Sequence, residues 1–234
     1  MGANPLGGTE TPGSASWWSD RQTRTARRRP RTDGLTIERL IGAAIAIVDT
    51  EGLETLTVRR LADDLATGSA SLYRHVASRD ELLVLMVDHV LGDVRSAPEH
   101  LGGRGKVEWL ARELRRVLMD HAGLLPALTA SPLLGPNAMR GADRGLAYLL
   151  ETGLEPRTAV PACLALINYV LGTVYFDTGR GTGEGRSGKE LVAALPSEGF
   201  PTLRVHQAEL TRSSIDEVFT SGLAVFLDGL ERRR

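Results

Sequence analysis

From Thr36 onward the apolar residues of this chain fall three and four apart, and that spacing constrains its fold more than any other feature. Ile37, Leu40, Ile41, Ala44, Ile45 and Val48 form one stripe down a helix. Thr36 stands where an N-cap belongs, Glu38 lies in the first turn where the helix dipole favours an anion, and Gly52 follows as a stop. A second short helix is predicted from Thr57, with Val58, Leu61, Ala62 and Leu65 inward. The run Ala66-Thr67-Gly68-Ser69 breaks it, and Ser69 to Val76 supplies one or two further turns. Ser78 and Glu81 have the spacing of a capping box. The helix they open, through Leu82, Leu83, Met86, Val90 and Val94, is expected to run to about Ala97, before Pro98. Beyond a linker at 96–105 the pattern predicts helices at 105–122, 136–152, 156–177 and 213–232, with a short one near 124–131. Ser214 and Glu217 repeat the capping-box spacing. No stretch alternates convincingly as a half-buried strand does, and no internal repeat is visible. The expected class is therefore all-α, a three-helix N-terminal domain over 34–97 followed by a larger helical domain over 98–234.

Composition narrows the remaining choices. With 234 residues, 42% of them hydrophobic, the chain can build one large core or two small ones. Twenty-eight basic residues against 29 acidic leave a net charge of −1, so global charge carries no nucleic-acid signal. The single cysteine, Cys163, excludes an intramolecular disulfide and argues against a cysteine-based metal cluster. No metal and no cofactor is expected. No apolar stretch follows Met1, so a cytoplasmic protein without a secretory leader is the expectation.

Two segments stand apart. Thr158 to Phe176 has no charged residue and is just long enough to span a bilayer. Pro161, Asn168, Gly172 and the lack of a second such stretch favour a helix buried on nearly all sides of a helical assembly, with no membrane partner. Residues 1–33 are rich in Gly, Ser, Thr and Arg and, Trp17 and Trp18 aside, offer nothing to bury. They read as a disordered arm, with six arginines and no acid between Arg21 and Arg31. Such an arm can reach phosphates or a minor groove when its neighbouring domain docks on DNA. Asp177 to Lys189 holds five glycines and reads as a loop.

Two short helices joined by a tight turn and packed under a preceding helix are the pattern of a helix-turn-helix. Leu72 and Val76, with Leu61 and Leu65, would hold the second helix down and leave Ser69, Ser71, Tyr73, Arg74 and His75 projecting. In a major groove, the serines and Arg74 would reach base edges while Tyr73 and His75 would bond phosphate oxygens. Arg59 could enter the groove edge, and Arg79 lies where a backbone phosphate would pass. A short surface helix that carries Tyr, Arg and His without any nucleic acid is the competing reading of the same residues.

The stretch from Gly34 to Leu83 resembles the N-terminal domain of the tetracycline-repressor (TetR) family of bacterial transcription regulators. The residues that carry the likeness are Gly52-Leu53, Thr57, Arg59, Leu61-Ala62, Leu72-Tyr73, His75-Val76 and Ser78-Arg79. The turn departs from the family's Leu-Gly-Val: here it reads Leu65-Ala66-Thr67-Gly68, with the glycine displaced. The resemblance implies a homodimer whose recognition helices enter successive major grooves about 34–36 Å apart on a palindromic DNA operator. It adds Thr57 to the DNA-contacting set. It also implies a C-terminal domain for dimerisation and binding of a small-molecule inducer, with 158–176 packing beside the last helix in a four-helix interface. Arg95, Trp109, Glu113, His121 and Asn168 are candidate ligand contacts on that reading. The histidine set that holds magnesium-bound tetracycline in the family's founding members is not found.

Two rival classes remain. Gly183 to Lys189 has the GxxxxGK spacing of a phosphate loop, but Glu190 stands where Ser or Thr must ligate magnesium, which weakens a nucleotide-binding enzyme. No nucleophile elbow and no zinc-protease histidine pair is present, so the chain is expected not to be an enzyme. A helical, dimeric interaction protein without DNA binding is the other alternative, and salt-sensitive binding to duplex DNA separates it from a regulator.

Overall fold

The computed structural model describes residues 11–27, 35–130, 132–179, 196 and 199–233. Among these residues it has twelve α-helices, α1 (Ala15–Arg27), α2 (Ile37–Glu51), α3 (Val58–Asp64), α4 (Ser69–Leu72), α5 (Arg79–Leu91), α6 (Gly103–Asp120), α7 (Leu125–Ala130), α8 (Pro136–Glu151), α9 (Pro156–Gly179), α10 (Pro201–Val205), α11 (Gln207–Arg212) and α12 (Ile215–Glu231), and no strand. The Gly183–Lys189 motif lies outside the described residues, as does all but the start of the glycine-rich stretch, whose Asp177 to Gly179 close α9.

The chain divides into two compact units, one of residues up to Arg95 together with Asp120–Asp143, the other of Ser96–Met119 and Arg144 onward. In the first unit α2 is the central helix. Leu40, Ala44 and Val48, on the stripe that the spacing indicates, are fully or almost fully buried, and Ile47 beside the stripe is buried with them. Thr36 caps α2 by accepting from the Arg39 amide at 3.1 Å, and the Gly52 amide closes its end on the Val48 carbonyl at 2.9 Å. Helix α5 packs on α2 and ends at Leu91, well short of Ala97. Gly92 ends it where a side chain would collide with the His89 carbonyl and crowd the Asn137 amide.

The first helix corrects the reading of a disordered arm for residues 15–27; the rest of that arm, 1–10 and 28–33, lies outside the described residues. Residues 15–27 are helical, and Trp17 and Trp18 are buried, packed edge to face at 4.8 Å. Ser14 begins the helix by accepting from the Trp17 amide. Two indoles supply the apolar surface that the rest of the segment lacks. Trp18 lines a small cavity with Val84, Val87, Asp88 and Leu91 of α5, and its ring lies close to Gly135. Gly135 is required there, because a methyl group at that position would overlap the Asp88 carboxylate and the Trp18 ring. Asp88 is buried and caps α8 from a different helix, accepting from the Asn137 and Ala138 amides at 3.0 and 3.1 Å. Its burial holds the carboxyl above the usual aspartate range, against the lowering pull of those amides.

The second unit packs α6, the end of α8, α9 and α12. Tyr169 of α9 stacks on Phe219 of α12 at 5.7 Å and donates to its carbonyl at 2.7 Å. Arg115 of α6 lies 4.7 Å over the same Phe219 ring and pairs with Asp177 and Asp216. Ser214 and Glu217 form the expected capping box of α12. Within the single chain only a third of the most apolar stretch of α9 is buried, so the helix is not enclosed on nearly all sides. Val160, Leu164, Tyr175 and Phe176 of α9 and Val218 and Val225 of α12 are exposed. Helix α9 is long and apolar enough to cross a membrane by length and composition, as the sequence indicates.

Candidate functional site

The turn between α3 and α4 is built by backbone bonds. The Thr67 amide donates to the Ala62 carbonyl at 2.9 Å and the Ala66 amide to Asp63 at 3.2 Å, the paired pattern that ends a helix through one left-handed residue. That residue is Ala66, at φ 49°, while Gly68 takes an ordinary extended conformation and caps α4. The positive φ therefore stays next to Leu65, and displacing the glycine moves only the residue type.

Helix α4 is four residues long and then tightens, with the His75 amide bonded to the Leu72 carbonyl at 2.8 Å and Arg74 to Ser71 at 3.3 Å. Leu61, Leu65, Leu72 and Val76 are buried and hold it down. Its outer side carries Ser69, Tyr73 and Arg74, all exposed, with Tyr73 57% exposed. The ring of Tyr73 is thus not a core residue. Ser71 and His75 are half-buried, and the Arg74 guanidinium donates to the Ser71 hydroxyl at 2.7 Å.

On α3 two adjacent arginines differ sharply. Arg60 is held by Glu51 at 2.5 Å and Asp64 at 3.3 Å, and its hydrogen bonds keep the Glu51 carboxyl below the usual range. Arg59 is exposed, with no ion pair or hydrogen bond to the described residues. Thr57 caps α3 through the Arg60 amide at 3.1 Å. Arg79 spends its guanidinium on the carbonyls of Leu53 and Leu56, at 3.1 and 3.4 Å, and so ties the start of α5 to the turn before α3. Thr57, Tyr73 and Arg79 border one small apolar cavity with Leu56, Leu72 and Leu82.

The five candidate ligand contacts are divided between the two units, Arg95 and His121 in the first and Trp109, Glu113 and Asn168 in the second. Trp109 and Glu113 are one turn apart on α6. Glu113 is buried and bound by Arg116 at 3.0 Å, while the indole nitrogen of Trp109 is buried without a hydrogen-bond partner among the described residues. His121 lies in the other unit and bonds Asp49 at the end of α2, at 2.8 Å. Arg95 is exposed, and Asn168 is exposed on α9 near Leu164. Among the described residues no three His, Cys, Asp or Glu side chains are grouped to hold a metal ion.

One contact near the turn had no signature beyond Trp17 and Arg21 falling four apart. Arg21 of α1 pairs with the buried Glu81 of α5. The other oxygen of Glu81 accepts from the Ala77 amide at 2.7 Å, one residue before the Ser78 amide that a capping box would use.

Residues 101–234 match the family model of the tetracyclin repressor-like C-terminal domain. The chain is 33% identical to the HTH-type transcriptional repressor DrrR1 of Streptomyces coeruleorubidus, over 98% of this chain and 91% of that protein. It is 28% identical to the class A tetracycline repressor protein from transposon 1721 of Escherichia coli, over 83% of this chain and 90% of the relative. Among solved structures, the Streptomyces coelicolor protein ActR in complex with (S)-DNPA is 34% identical, with a TM-score of 0.74 over 85% of this chain and 98% of that one. ActR in complex with actinorhodin gives 34% and 0.75 over 85% and 97%.

Proposed function

Because the chain belongs to the tetracycline-repressor family of transcription regulators, we propose that it is a homodimeric repressor that a small molecule releases from a two-fold symmetric DNA operator. The observation that carries this reading is the helix-turn-helix itself: α4 is seated by four buried aliphatic residues and leaves Ser69, Tyr73 and Arg74 outside. By task, residues 34–97 read DNA and 98–234 bind ligand and dimerise. Ser69, Ser71, Arg74 and Arg59 address base edges; Tyr73 and His75 bond phosphate, and Thr57 and Arg79 frame the contact. We assign the chain no catalysed reaction, and it acts on the chromosome in the cytoplasm.

The buried indole N–H of Trp109, without an acceptor among the described residues, supports a ligand in the second unit, since such a group ordinarily finds one. Arg95, Glu113, His121 and Asn168 are the other groups we propose for ligand response. The exposed apolar residues of α9 and α12 support dimerisation, because a second copy would cover them.

The test is selection of the purified full-length protein against random duplex DNA. A two-fold symmetric motif is expected; no enriched motif from demonstrably folded protein overturns the reading. On the selected duplex, Tyr73→Phe should weaken binding to all sequences alike. Arg59→Ala should relax preference at particular bases, by about 1–3 kcal/mol if the contact is direct.

A further inference from the structure

We infer that Arg21, outside the helix-turn-helix, is a positioning residue for DNA reading: through the buried Glu81 carboxylate it fixes the junction between α4 and α5. The inference rests on the DNA-reading function proposed above. Ala77 and Ser78 alone separate Val76, the last anchor of the reading segment, from α5. Glu81 grips both, with Oε2 accepting from the Ala77 amide at 2.7 Å and its own amide donating to the Ser78 hydroxyl at 3.0 Å. Its other oxygen takes Arg21.

Glu81 is only 7% exposed, and Arg21 is the cation paired with it. Removing one member of a buried pair leaves an uncompensated charge that the site relieves by admitting water, which withdraws the carboxylate from the Ala77 amide and loosens the junction. Arg21 is itself held in place: its guanidinium lies 5.5 Å over the Trp17 ring, and Trp17 and Trp18 are buried. Trp18 lines a small cavity with Val84, Val87, Asp88 and Leu91 of α5, and Arg21 pairs with Glu81, so α1 delivers Arg21 to the first turn of α5, the end that adjoins α4. A helix of 13 residues is marginal in isolation, so this delivery depends on the docking of the indoles.

A direct phosphate contact by Arg21 would also weaken DNA binding, and salt dependence separates the two. The experiment measures affinity of the full-length parent, Arg21→Ala, Arg21→Lys, Glu81→Gln and the Arg21→Ala/Glu81→Gln double variant for the selected duplex across a salt series. Amide hydrogen exchange at Ala77 is followed without DNA. Arg21→Ala should lower affinity by at least about tenfold, which is 1.4 kcal/mol, with the salt slope unchanged. Ala77 should exchange faster, the double variant should be little worse than Arg21→Ala alone, and Arg21→Lys should recover part of the loss. Parental affinity in Arg21→Ala overturns the inference. So does a slope shallower by about one unit with Ala77 exchange unchanged, the mark of a phosphate contact. If the parent itself selects no duplex, the DNA-reading function falls; the Ala77 exchange then still reports whether Arg21 governs the junction.

Discussion

Ala66 holds the tightest turn of the reading unit in a conformation that costs an L-residue about 1–2 kcal/mol. Two backbone bonds, from Thr67 to Ala62 and from Ala66 to Asp63, impose it, so the chain accepts the strain at the exposed position next to Leu65 although Gly68 is two residues away. Ala66→Gly should remove that strain and return part of the gain as unfolded-state entropy. A net rise in stability of about 0.5–1 kcal/mol is expected in denaturant unfolding; a loss would show that the methyl group has a packing role. The caps at Thr36 and Ser78 were legible because each is written within three residues of its amide. The Arg21–Glu81 pair was not, since its partners are 60 residues apart and neither residue type signals burial alone. Arg79 shows the same limit: its place beside the reading segment was legible, its commitment to the Leu53 and Leu56 carbonyls was not.

At the scale of elements, periodic segments were readable and conditional ones were not. Helices α2, α6, α8, α9 and α12 fall within a few residues of where apolar spacing sets them. Helix α1 has no stripe beyond two indoles, and it forms because α5 and Gly135 offer a surface that the sequence of α1 does not contain. The short α10 and α11 have no buried residue and so no apolar period to reveal them. Helix α8 depends on an anion lent by α5: Asp88 satisfies two of the amides that every helix start leaves open. Asp88→Ala strands them, and a loss of about 1–3 kcal/mol in denaturant unfolding is expected. Full retention of stability would mean that water replaces the carboxylate without penalty.

For the whole molecule, the decisive surface is the one the single chain leaves uncovered. Leu164 is 59% exposed on α9 and Val225 69% on α12, so each apolar face lacks a neighbour among the described residues. Carboxylates placed there should keep two chains apart. Leu164→Glu with Val225→Glu is expected to sediment as a monomer where the parent sediments as a dimer, and to lose the preference for two half-sites over one. A parent that is monomeric, or a variant that stays dimeric, would remove these faces from the interface.

Two of the chain's three tryptophans lie side by side on α1 and the third is on α6. The intrinsic ultraviolet emission of this protein is therefore weighted toward one short helix. A red shift during gentle denaturation would register the two indoles of α1 meeting water, and it could precede any fall in helical circular dichroism. An optical midpoint taken from this chain describes the grip of α1 on α5 before it describes the fold.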